Sequence, residues 1–234
     1  HGRNTLVLVH PSHEEWFKRY QGYFNRGLTK LSLKHQGNLV VVLSEQKEAK
    51  QIELLAAQTI NTQPLTNVVG IIPGKSKPNE IVLFSAHYDH LGVNNKEGED
   101  KIYNGADDDA SGTSAIINLA EYFAKENNNS RTLMFAAFTA EEIGGFGSKY
   151  FSNQLDPNDI IAMINIEMIG KPSKFGAGKF WMTGYERSNL SQIMNDALKD
   201  KNTEVYPDPY PKQNLFYRSD NATLARLGVP AHSF

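Results

Sequence analysis

Leu133-Met134-Phe135-Ala136-Ala137-Phe138 runs through Thr139-Ala140 into Glu141-Glu142. Six apolar residues without polar alternation read as a strand covered on both faces, the habit of a sheet with helices on either side. Two carboxylates at the tip of such a strand are poor packing but useful chemistry. One can hold a metal while its neighbour takes a proton from water. Taken alone, a Glu-Glu pair is more simply a solvated loop, because charged side chains are mostly exposed. The rest of the chain decides between the two readings.

Other buried strands flank this one. Glu80 to Ala86 (Glu-Ile-Val-Leu-Phe-Ser-Ala) reads as a strand buried on both faces, 160–166 (Ile-Ile-Ala-Met-Ile-Asn-Ile) is a further strand, and Phe180 to Thr183 reads as a fifth. Asn67 to Ile72 is a strand closed by Pro73-Gly74. Residues 112–125 form a helix with Ala115, Ile116, Leu119, Ala120 and Phe123 on one stripe, ended by Asn127-Asn128-Asn129. Leu190 to Leu198 and Ala222 to Leu227 are helical, and Gly228 to Phe234 is a loop entering a strand. Strands alternating with helices predict a three-layer α/β/α sandwich with a mixed, largely parallel central sheet.

Each buried strand ends in metal-type ligands: His87-Tyr88-Asp89-His90 after Ala86, Glu141-Glu142 after Phe138, and Glu167 after Ile166. Gly105-Ala106-Asp107-Asp108-Asp109-Ala110-Ser111-Gly112 opens the helix at 112. Ligands of open α/β sheets bind outside the carboxyl ends of the strands, so these residues share one edge. Imidazole nitrogen and carboxylate oxygen suit zinc. Asp89, two residues beyond His87, is placed to hold a ligating imidazole in one tautomer. One of the three aspartates could cap the helix at Gly112. Three together repel unless cations neutralise them, which favours a carboxylate bridging two metals.

The 234 residues carry 24 Lys+Arg against 26 Asp+Glu, a net charge of −2, so no basic excess supports nucleic-acid binding. No apolar stretch approaches the ~20 residues of a membrane span. There is no cysteine, which excludes disulfides and thiolate metal sites. In residues 1–60, 5–9 and 39–43 are short β-branched strands around a helix from Pro11 to Arg26. Ser12 is placed to cap that helix, with Glu15 completing a capping box. Trp16, Phe17, Tyr20 and Phe24 recur at helical spacing and read as a buried face rather than a binding stripe. Residues 1–60 are thus a β-α-β-like piece, a candidate remnant of an inserted or lid module, with Lys47 to Lys50 a polar break. Residues 61–234 read as the domain that carries these metal-type residues. No signal peptide is visible, and both ends, at His1 and Phe234, look cut, which makes that domain C-terminally incomplete.

Asn67-Val68-Val69-Gly70, Ser85-Ala86-His87-Tyr88-Asp89-His90, Gly105 to Gly112, Ala140-Glu141-Glu142-Ile143-Gly144 and Asn165-Ile166-Glu167-Met168-Ile169-Gly170 resemble the successive motifs of the co-catalytic zinc peptidases. Secreted bacterial leucyl-type aminopeptidases, glutamate carboxypeptidase and, more distantly, glutaminyl cyclases belong to that family. The resemblance runs from about Thr66 to Phe234. It implies a Zn2+-dependent exopeptidase, most simply an aminopeptidase, in which a metal-bridged hydroxide attacks peptides with a free N-terminus. His87 and Glu167 would hold the first metal, Asp108 would bridge both metals through a cis peptide to Asp109, Glu142 would hold the second, and Glu141 would be the general base.

Two departures stand out. The family usually has aspartate where this chain has Glu167. Its last ligand is a histidine beyond the final strand, and Phe234 ends the sequence before one, so two zinc ions are implied with the second site short of a ligand. His232 aligns poorly with that ligand and reads as a packed histidine. His90, Tyr217, Arg218 and Asp220 fall where substrate-pocket groups are expected. A single-zinc glutaminyl cyclase and a non-catalytic binding relative are the alternatives. A periplasmic, extracellular or envelope-anchored location follows from the resemblance alone.

Overall fold

The computed structural model describes residues 3–32, 37–55, 57, 59–94, 98 and 100–234. The chain divides into two compact units, His1–Gln63 and Pro64–Phe234.

In the first unit, β1 (Thr5–Val9) and β2 (Leu39–Leu43) pair in parallel, joined through α1 (Glu14–Phe24). Ser12 does not cap α1. It lies in a short 3-10 turn and donates its backbone N–H to the His10 ring, and α1 starts without a side-chain cap. The aromatic face expected to be buried is exposed instead: no residue of α1 is buried, and Trp16 and Tyr20 are 57% and 55% exposed. A two-stranded ribbon has too little apolar surface to cover a helix, and three or more strands are normally needed for that.

The second unit holds a five-stranded sheet in the order β3-β5-β4-β6-β9. These strands are β3 (Val68–Ile72), β4 (Lys77–His87), β5 (Arg131–Phe138), β6 (Ile160–Asn165) and β9 (Ala231–Ser233). Only the β3–β5 pair is antiparallel. The segment at 180 does not join this sheet. As β7 (Phe180–Met182) it pairs with β8 (Val205–Pro207) in a separate parallel ribbon. Helices α2 (Ala110–Glu126), α3 (Phe146–Ser152), α4 (Leu190–Leu198) and α5 (Asn221–Ala225) complete the unit, α5 being shorter than the 222–227 pattern suggests.

Strand alternation explains why the inner stretches of β4 (Ile81–Phe84) and β5 (Leu133–Phe138) are apolar on both faces. Leu83, Met134, Ala136 and Phe138 point to one face, where they pack with Phe151, Met163, Leu224 and Val229. Ala86, Phe84 and Ala137 point to the other, against Ile116, Ala115 and Leu119 of α2. Phe84 stacks on Phe135 at 5.3 Å, and Phe138 meets Phe151 edge-on at 5.2 Å. Truncating Phe138, which is fully buried, costs about 3–5 kcal/mol on the scale of core Phe→Ala changes. No helix among the described residues is long and apolar enough to cross a membrane.

Candidate metal centre

Parallel pairing of β4 with both β5 and β6 brings the ends of all three strands to one edge, with His87 opposite Phe138 and Ser85 opposite Asn165. Two groups of ligand atoms converge there. His87, Asp108 and Glu167 form one, and His90, Asp108 and Glu142 the other, each with its ligand atoms within 4.8 Å of one another. Asp108 belongs to both. His87 Nε2 lies 3.0 Å from Asp108 Oδ1, and His90 Nδ1 lies 2.7 Å from Glu142 Oε1.

The three aspartates do three separate things. Asp107 accepts from the Gly170 N–H at 2.8 Å and pairs with Lys171 at 3.1 Å. Asp108, joined to Asp109 by a cis peptide, reaches the ligand groups. Asp109 is buried and caps α2 by accepting from the Gly112 N–H at 3.1 Å. It also accepts from the N–H groups of Met168 at 3.2 Å and His87 at 3.3 Å. Gly112 is required at this junction: a Cβ there would lie 2.1 Å from the Ile166 carbonyl oxygen and 2.6 Å from both Asp109 carboxylate oxygens.

His87 is buried and pinned at each end of its peptide. Its N–H goes to Asp109 and its carbonyl accepts from the Thr113 hydroxyl at 2.8 Å. Its Nδ1 donates to the backbone carbonyl of Asp89 at 3.0 Å, which leaves Nε2 facing Asp108. The Asp89 carboxylate, 3.7 Å from Nδ1, acts elsewhere, accepting from the N–H groups of Glu141 at 3.0 Å and Glu142 at 3.3 Å. Sequence reasoning gave that carboxylate to the imidazole; in the fold the carbonyl does that work and the carboxylate clamps the Glu141–Glu142 turn.

Asn165, a polar residue inside an apolar strand, was given no role of its own in the sequence. It is buried, accepts from Ser85 Oγ at 2.7 Å, and donates to Ser219 Oγ at 2.9 Å, Ser233 Oγ at 3.0 Å and Glu167 Oε2 at 3.5 Å. That network steadies Glu167. Of the four residues expected to line a pocket, His90 lies in the second of these groups. Tyr217 lines a cavity of about 210 Å³ with Arg187, Phe216 and His232. Arg218 is exposed, whereas Asp220 is 1% exposed. His232 is buried, donates through Nδ1 to the Thr183 carbonyl at 2.8 Å, and pairs through Nε2 with Ser188 Oγ at 2.7 Å; burial lowers its pKa.

The electrostatics favour bound cations. Burial, reinforced by the charges of Asp220 and Glu167, pushes the Glu141 carboxyl up to about 8. Burial likewise raises Glu167, and pushes Asp109 and Asp220 up to about 7. Burial lowers the His87 imidazole, but the carboxylates of Asp109, Glu141, Glu167 and Asp220 outweigh it and lift it to about 9. Crowded acids that resist ionisation are what divalent ions relieve. His87 Nε2, His90 Nδ1 and Glu142 Oε1 are buried atoms without a hydrogen-bond partner. A nitrogen-and-oxygen donor set without sulfur fits zinc.

A mixed α/β sheet with such donors at its carboxyl edge defines a metal-binding domain of the zinc-exopeptidase architecture. The chain belongs to Peptidase family M28, whose family model matches residues 67–234. It is 28% identical over 172 residues to a probable leucine aminopeptidase of Arthroderma benhamiae, covering 70% of this chain and 45% of that one. To Aminopeptidase YwaD of Bacillus subtilis it is 30% identical over 132 residues, covering 55% of this chain and 26% of that one. LapB of Legionella pneumophila superposes with a TM-score of 0.56 at 26% identity, over 71% of this chain and 43% of that one. The chain spans less than half the length of each of these relatives.

Proposed function

We propose that residues 64–234 form the catalytic module of a zinc-dependent aminopeptidase. The carrying observation is the pair of buried imidazole nitrogens, each beside a carboxylate oxygen without hydrogen-bonding it, in groups that share Asp108. His87, Asp108 and Glu167 would hold one ion, and Asp108 with Glu142 would contribute to a second. Zinc held there supplies a nucleophile at neutral pH, by lowering the pKa of water from 15.7 toward ~7, and polarises the scissile carbonyl.

The chain's own residues do the rest. Glu141, raised to about 8 in the metal-free chain, would be freed to ionise when cations neutralise the surrounding carboxylates, and its carboxylate would then take a proton from the attacking water and return it to the leaving amine. Its neighbour Glu142 is kept for the metal by the Asp89 clamp on both backbone N–H groups. An excess of carboxylates around the centre suits the ammonium group of a free N-terminus, which favours amino- over carboxypeptidase action. The names of the aminopeptidase relatives support the same reading.

The test is a panel of aminoacyl anilides and dipeptides, assayed with chelator and with zinc restored. Chelator-sensitive release of N-terminal residues is expected, and the panel names the preferred side chain. Cyclisation of N-terminal glutamine instead of release would replace this reading with a glutaminyl cyclase. Neither reaction in zinc-loaded protein would leave a binding module.

A further inference from the structure

We propose that His90 is itself a metal ligand, joining Asp108 and Glu142 at a second ion position. The inference rests on reading the centre as a zinc site, and it goes further by moving His90 from substrate pocket to metal.

Three observations carry it. First, His90 Nδ1 and Glu142 Oε1 are 2.7 Å apart and both buried, yet neither has a hydrogen-bond partner. In a simple ion pair the ring N–H would aim at the oxygen. Two donors of one ion aim at the ion instead of each other; on a tetrahedral zinc they would stand about 3.3 Å apart, so this pair would open slightly as the ion enters. Second, His87 repeats the same signature at the other group, with Nε2 3.0 Å from Asp108 Oδ1 and no hydrogen bond. The two imidazoles thus flank one shared aspartate, each facing a carboxylate oxygen.

Third, the fold fixes His90 in place. Gly105, with φ +65°, carries no Cβ where one would lie 3.0 Å from His90 Cβ and 3.1 Å from both His90 Cγ and the Asp108 carbonyl oxygen. The absence of that Cβ lets the loop bearing Asp108 close on the imidazole. The Tyr103 ring meets the His90 ring edge-on at 6.2 Å. A side chain that only bordered substrate would not need this cradle.

The experiment titrates the whole metal-stripped chain with cobalt(II) and counts ions by elemental analysis. The expected result is two ions in the unaltered chain and one in His90→Ala. The second binding step should weaken by more than about a hundredfold, since losing even an outer partner of a ligand costs ~10–100-fold. His90→Cys should recover two ions and show a thiolate-to-cobalt charge-transfer band, assignable without ambiguity because the chain has no cysteine. Two ions bound equally tightly by His90→Ala, or no such band in His90→Cys, would overturn the role of His90 while leaving the zinc reading intact. A single ion in the unaltered chain also overturns it. No ion at all would overturn the zinc reading as well.

Discussion

Replacing Asp89 by alanine separates the two jobs in its neighbourhood. The carboxylate accepts from the Glu141 and Glu142 N–H groups at 3.0 and 3.3 Å, whereas His87 Nδ1 donates to the Asp89 carbonyl, which alanine retains. Hydrogen bonds to a charged acceptor contribute ~1.5–3 kcal/mol each. The side chain is 21% exposed, so water replaces part of the loss, and denaturant unfolding should show about 2–4 kcal/mol of destabilisation. The released turn lets Glu141 drift, and a misplacement of ~1 Å at a reacting centre costs about a hundredfold in rate. Turnover should fall by that order while KM changes little. The His87 Nδ1–H resonance in the zinc-loaded variant should persist, because its acceptor is untouched. Loss of that resonance, or destabilisation under about 0.5 kcal/mol, would refute the clamp.

Three further outcomes follow from the same site. Asp220 has a folded pKa raised from 3.8 to about 7, so the stability it contributes is full below 3.8 and is lost as pH rises through about 7. Asp220→Asn should therefore stabilise the metal-free chain by about 1–3 kcal/mol near pH 8 and not near pH 4, as thermal melts will show. Gly112→Ala forces a Cβ onto the Ile166 carbonyl and should destabilise by about 3 kcal/mol or more, the upper range for overpacking, measured by urea unfolding. The His87 imidazole, raised to about 9, must lose a proton to bind an ion. Zinc affinity measured calorimetrically should accordingly climb about tenfold per pH unit below pH 9 and level off above it.

The sheet was legible because its central strands are buried on both faces, so Ile81 to Phe84 and Leu133 to Phe138 announce themselves as unbroken apolar runs. The convergence of imidazoles and carboxylates was legible for a related reason: such groups at the tips of buried strands have no packing role. The shared edge follows from parallel pairing, which brings His87, Asp108, Glu142 and Glu167 together. What failed depended on partners that sequence does not name. The aromatic spacing of α1 signals a buried face, but burial needs a layer to pack on, and a two-stranded ribbon supplies none. Phe180 to Met182 has strand chemistry, yet which sheet it joins is a tertiary choice. The role of Asp89 turned on whether a carbonyl or a carboxylate two residues away reached the imidazole first. His90 sits on a loop after its strand, where periodicity says nothing about direction. The polar Asn165 within an apolar strand was the overlooked signal for the network behind Glu167.

The most direct test of the central claim is Glu141→Gln, measured for zinc content and peptide turnover on the same sample. The side chain keeps its size and its clamped backbone N–H, so metal content should match the unaltered chain while turnover falls by a factor of about 10²–10⁴, the contribution of a general base. A zinc-loaded Glu141→Gln protein that still releases N-terminal residues at the original rate would contradict the account.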